Sequence, residues 1–179
     1  MKVLFQINDM VLYSIYGICK IIDITKRDLC GKPMEYYVLQ QIYDNKSMLF
    51  IPTHNSELTA KMKEILSPSE IYSMIRLMPH EKTIWIQNEA LRKQKYAEIL
   101  KNGDRAELIR MIKTLYLHKK SQIEKGKKMH VADERFLNEA EKLLHEEFAH
   151  VLHIKREQIL PFIFEQIKID ERTIADNEV

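Results

Sequence analysis

The chain has 179 residues, 45% hydrophobic and 30% charged, enough apolar content to build a core without disulfide or metal support and too much for a disordered tail. Its formal net charge of +2 hides a segregation. Residues 56–130 carry 16 basic against 9 acidic groups and residues 131–179 carry 6 against 12, so the middle is a candidate polyanion surface while the last third argues against indiscriminate binding.

Residues 1–52 hold short Ile-, Val-, Tyr- and Phe-rich runs broken at Asn8-Asp9, Gly17 and Gly31-Lys32-Pro33. The runs Met10 to Tyr13, Ile18 to Thr25, Glu35 to Tyr43 and Ser47 to Ile51 predict short strands joined by hairpins, closing into a small barrel. Apolar residues fall on both faces of the second and third runs, as in a strongly curled sheet or one that keeps a face for a partner. Beyond Pro52 every segment shows helical spacing, which places a domain boundary near His54, with a β-barrel over 1–54 and an all-α domain over 55–179.

Within the second domain, Ser67-Pro68-Ser69-Glu70 is a helix start with a cap, a proline at the first helical position and a capping-box glutamate. Two helices are expected before Pro79, and a third from about Ile84 to Lys101. Asn102-Gly103 stops that helix and Asp104 with Glu107 opens a fourth, which ends near Gly126. A fifth starts at Ala132 or Asp133. A last apolar segment carries Pro161 either in its first turns or as a kink.

The chemistry-bearing patterns are few. In His145-Glu146-Glu147-Phe148-Ala149-His150 the histidines are five apart, a rotation of roughly 500° that leaves them about 140° out of line, so the H-E-x-x-H zinc arrangement fails and the stretch reads as a solvated face. Nucleotide-binding glycine loops and nucleophile elbows are missing from the sequence, and it supports no enzyme, metal, cofactor or small-molecule substrate. Cys19 and Cys30 have no zinc or redox spacing; a bridge between them is conceivable, but reduced thiols in a cytoplasmic protein are the simpler expectation. Met1-Lys2-Val3-Leu4-Phe5 meets Asn8-Asp9 too soon for a secretory segment, and nothing in the chain reads as a membrane span.

The basic middle offers phosphate contacts from Arg92, Lys93, Lys95, Lys119, Lys120, Lys125, Lys127 and Lys128. Cations near helix C-termini are also favoured by the helix dipole without any partner. Trp85, the sole tryptophan, reads either as a core or interdomain anchor or as an exposed indole that stacks on or wedges a base step.

Taken in order, Phe5, Asn8-Asp9, Val11-Leu12-Tyr13, Tyr16-Gly17-Ile18, Gly31, Glu35-Tyr36-Tyr37-Val38-Leu39 and Ile51-Pro52, followed by Trp85, Arg92, Asn102-Gly103-Asp104, Leu108, Leu115, Ala140 and Leu143-Leu144, resemble the CarD/CdnL family of bacterial transcription regulators. The N-terminal module of that family is shared with transcription-repair coupling factors. The resemblance implies a Tudor-like domain that adds its edge to the RNA polymerase β subunit, and a helical domain that makes weak, sequence-blind contacts to promoter DNA at the upstream fork and stabilises the open complex. It further implies association with the nucleoid through polymerase. By resemblance, Arg27 is a polymerase contact, Phe50 replaces a second contacting arginine and makes the contact more apolar, Trp85 is the minor-groove wedge and Arg92 belongs to the basic group after it. A general architectural nucleic-acid binder, or a protein-interaction adaptor, is the alternative that the basic helices alone would allow.

Overall fold

The structure is a computed structural model and describes residues 5–28, 31–44 and 47–177. It divides into two compact units, Met1–Ile65 and Leu66–Val179.

The first unit is an antiparallel sheet of β1 (Met10–Tyr13), β2 (Ile18–Asp28), β3 (Pro33–Gln41), β4 (Met48–Pro52) and β5 (Met62–Glu64), in the order β4-β3-β2-β1-β5. The β1–β2 connection turns through Gly17 at φ 72° and ψ −146°, a conformation that a side chain would strain. Cys19 and Ile21 point into the core; a bulge between Ile21 and Asp23 then shifts the alternation so that Ile24, and not Asp23, joins them. Opposite these lie Tyr37, Leu39 and Ile51, while Val11 and Met62 close the cluster. The Cys19 thiol is free and buried, and burial pushes its pKa up to about 12, so it is an inert core group. Cys30, the other half of the conceivable bridge, lies outside the described residues.

Two sequence expectations change here. The sheet is open and not a closed barrel: β4 and β5 are its two ends, and β5, three residues long with Lys63 and Glu64 in it, is too short and too polar to pair with β4. The unit also runs through Ile65 instead of stopping at 54, because β5 pairs back onto β1 (Val11 with Glu64, Tyr13 with Met62). The short helix α1 (Ser56–Thr59) leads into it, capped by Asn55 Oδ1, which accepts from the amides of Glu57 and Leu58 at 3.1 Å.

The second unit contains α2 (Pro68–Leu77), α3 (Glu89–Asn102), α4 (Arg105–Glu124), α5 (Val131–Leu152) and α6 (Ile159–Asn177). The capping box at α2 forms as the sequence specifies, with Glu70 N donating to Ser67 Oγ and Ser67 N to Glu70 Oε2. Gly103, at φ 60°, ends α3, and Asp104 caps α4 through the Glu107 amide. Pro161 falls in the first turn of α6, where the missing N–H costs nothing.

α5 is the central helix. Phe136, Leu137, Ala140 and Leu143 pack with Tyr96, Ile99, Met111 and Leu115, while Leu144, Phe148 and Ala149 pack with Ile71, Ile75, Ile109 and Ile159. A helix buried on two sides leaves little room for solvated charge, and this overturns the solvated reading of residues 145–150. Glu147 is fully buried and receives a bidentate Arg105, Nε to Oε2 at 2.8 Å and Nη2 to Oε1 at 2.6 Å, and the Leu66 amide at 3.0 Å. Glu146 is buried within 3.8 Å of Arg156.

His145 is buried, and burial pushes its imidazole from 6.5 down to about 4. Between those values the unfolded chain binds a proton that the folded unit excludes, so stability is full above about pH 6.5 and falls by roughly 3 kcal/mol as pH drops towards 4. Glu141 and Glu146, whose carboxyls burial raises, work in the opposite direction. The histidine's share is therefore the difference between the acid unfolding curves of the native chain and His145→Gln; parallel curves would remove the assignment.

Candidate functional site

The helix expected from Ile84 begins only at Glu89, behind Asn88, whose Oδ1 accepts from the Leu91 amide at 3.0 Å. Residues 84–87 are an irregular, non-helical strap held by side chains of the helices. Ile84 N donates to Thr114 Oγ1 at 2.8 Å, Tyr96 Oη donates to the Ile84 carbonyl, and Arg92 Nη1 donates to the Ile86 carbonyl at 2.8 Å. Trp85 rides on this strap, half-buried against the α3–α4–α5 core.

The indole stacks on His118 with ring centroids 4.0 Å apart and 19° between planes, and the Arg92 guanidinium lies 4.4 Å from its ring centroid. Arg92 is itself only 6% exposed and forms a two-pronged pair with Asp133, Nε to Oδ1 and Nη2 to Oδ2, both at 3.0 Å. Asp133 sits in the first turn of α5, where the helix dipole favours an anion. Burial lowers the His118 pKa, so the ring stacked on the indole is neutral at pH 7. The result is a chain of fixed contacts from α5 through Arg92 to Trp85, with an imidazole and a guanidinium on the indole's π surface. Together they hold the half-buried indole in one orientation.

The predicted phosphate contacts fall into three groups. Arg92 faces Asp133 in the interior, and reaching a phosphate would leave a buried carboxylate unpaired. Lys93 pairs with Glu89, Lys95 with Glu107 at 3.4 Å and Lys119 with Glu134 at 3.1 Å, all at partly exposed positions where such pairs exchange readily. Lys120, Lys125, Lys127 and Lys128 are exposed at the end of α4 and in the loop after it, with no ion pair among the described residues. Lys125, the C-cap of α4, follows His118 by seven residues, two helical turns along the same face, so the loop starts on the side of α4 that carries the Trp85 platform. Sequence reasoning missed His118, Thr114 and Asp133; their partners lie about 30 to 40 positions away, and no local spacing announces them.

In the first unit, β4 is an edge strand of Met48, Leu49, Phe50, Ile51 and Pro52, with Met48 56% exposed. Arg27 on β2 reaches across β3 to place its guanidinium 5.2 Å from the Phe50 ring, which also meets Tyr36 edge-on at 6.4 Å. The two residues expected to meet polymerase thus form one cluster.

Residues 5–66 match the CarD-like/TRCF RID domain, and residues 73–163 match the CarD C-terminal domain. The chain belongs to the CarD-like family. The first CarD-like match ends at the boundary between the two compact units, and the second ends at Ile163, so α6 from Phe164 onward extends past it. Comparison with curated proteins returns no match. CarD-like proteins are transcription-associated regulators that interact with RNA polymerase, and this level of function holds for the present chain. Among the described residues no helix is long and apolar enough to cross a membrane.

Proposed function

We propose that this protein binds the RNA polymerase β subunit through the β4 edge, with Arg27 and Phe50 beside it, and braces promoter DNA at the upstream fork with Trp85 and the lysines from 119 to 128. The domain division proposed is an N-terminal polymerase-binding unit and a C-terminal DNA-contacting unit. The observation that carries the reading is the Trp85 platform: an indole immobilised by Arg92, Asp133 and His118 beside a loop of unpaired lysines. A rigid aromatic edge inserts into a base step at little entropic cost, and lysines next to it neutralise phosphate without reading sequence.

The two sheet edges support the choice of β4. β5 is short and charged, as protected edges are, whereas β4 is apolar from Met48 to Pro52 and offers backbone groups for strand addition. Tethering by this edge makes the DNA contact intramolecular, so weak contacts suffice. A contact made only to the melted fork shifts the balance towards the open complex, and about 1.4 kcal/mol of preference changes that balance tenfold.

Trp85→Ala is therefore expected to shorten open-complex lifetime about tenfold with polymerase binding intact, while Arg27→Glu with Phe50→Ala removes co-purification with the β subunit. Promoter-complex lifetimes and β-subunit capture read the two arms. An unchanged lifetime returns Trp85 to a purely structural role, and tight duplex binding by free protein that ignores polymerase favours an architectural protein instead.

A further inference from the structure

Between α4, α5 and α6 lies a slot of about 280 Å³. Its walls are aliphatic, with Ile112, Leu144, Ile163 and Ile167 among them, and Tyr116 and Phe164 stand at its rim, each 42% exposed, with ring centroids 6.3 Å apart. Two polar side chains one turn apart on α5 also line it, Glu141 and His145. Among the described residues neither has a hydrogen bond or an ion pair, although His145 is only 8% exposed. Glu141 is half-buried, and a carboxylate and an imidazole without hydrogen bonds stand out in a slot whose other lining is mostly aliphatic and aromatic; packing alone gives no reason to put both there.

The charges around the slot define what would satisfy them. Lys113, the lysine that lines it, donates its ammonium to the carbonyls of Pro79 and Glu81 at 2.6 and 2.7 Å. The Glu141 carboxylate has no hydrogen bond or ion pair among the described residues; Lys119 and Arg156 act on it only through their longer-range fields, and it lies in a slot rimmed by two aromatic rings, a setting that favours a cationic nitrogen. The aliphatic walls suit a hydrocarbon or aryl body. We propose that this slot binds a small amphipathic amine, its apolar body against Ile112, Leu144 and Ile163, its protonated nitrogen at Glu141 and a further hydrogen bond accepted by His145. Burial keeps the imidazole neutral and so able to accept. Phe164 and Ile167 lie past the end of the CarD C-terminal match, so part of this wall belongs to the chain's own extension of α6.

The test titrates the full chain, labelled at Ile and Leu methyls for NMR, with 4-phenylbutylamine, and with 4-phenylbutan-1-ol and 5-phenylpentanoate as neutral and anionic comparators. The expected result is one saturable site with shifts at Ile112, Leu144 and Ile163, the amine binding about tenfold tighter than the alcohol and the acid weakest, and Glu141→Gln reducing the amine to the alcohol's affinity. The comparator series on the native chain decides the matter even if the variant folds poorly. An acid that binds as well as the amine, shifts spread over other exposed apolar residues such as Tyr72 and Leu77, no saturable binding at millimolar amine, or a folded Glu141→Gln chain with unchanged affinity would each overturn the proposal.

Discussion

Glu147→Gln is expected to destabilise the helical unit by about 3–5 kcal/mol, the largest single effect in the chain. The fully buried carboxylate accepts two bonds from Arg105 and one from the Leu66 amide. The amide side chain retains one acceptor but turns an N–H towards the guanidinium, so a positive charge that is only 15% exposed loses its counter-charge. Urea unfolding followed by Trp85 fluorescence reports on this unit, because the only tryptophan lies in it. Replacing both partners, as Arg105→Met with Glu147→Leu, is expected to recover most of the loss, since an apolar pair of similar volume carries no desolvation penalty. A single variant that unfolds at the native midpoint would mean that the pair is not isolated from water in solution.

Asp133→Asn is expected to cost roughly 3 kcal/mol for the same reason and, in addition, to release the indole. Two bonds of 3.0 Å fix Arg92 against the Asp133 carboxylate, with the guanidinium 4.4 Å from the Trp85 ring centroid. Arg92→Lys preserves the charge but loses the fork and the planar stack, so it tests geometry apart from electrostatics. Both variants should change Trp85 emission and anisotropy in the folded protein and shorten open-complex lifetime while leaving β-subunit capture intact. If emission and lifetime stay at native values once stability is accounted for, Arg92 and Asp133 hold the helices together and do not position the indole.

The features legible in the sequence were those whose cause is local. β1 follows its apolar run residue for residue, the Ser67 to Glu70 box forms, and Gly103 with Asp104 separates two helices at the expected place. The misses have distant causes. β5 is three residues with no alternation to detect, and it becomes a strand only because β1 is there to pair with. Residues 84–87 carry enough aliphatic side chains to resemble the start of a helix, but their backbone groups are bonded to Thr114, Tyr96 and Arg92 and not into a helix. The charges of residues 145–147 resemble a wet surface until Arg105, 42 positions away, is brought against Glu147. The geometry of the site residues also has distant causes: Arg27 meets Phe50 across β3, and Arg92 lies against Trp85 while paired with Asp133.

Among the described residues Lys120, Lys125, Lys127 and Lys128 form a cluster of ammonium groups without an ion pair at one end of α4, while Arg92, Lys93, Lys95, Arg105 and Lys119 face acids. Charge gathered at one spot displaces counterions from few phosphates, so log affinity should fall with log salt at a slope no steeper than about −4. A grip that small cannot follow a duplex along its length. It suits a protein whose position on the promoter is fixed by something else and which needs only to press on one point of the backbone.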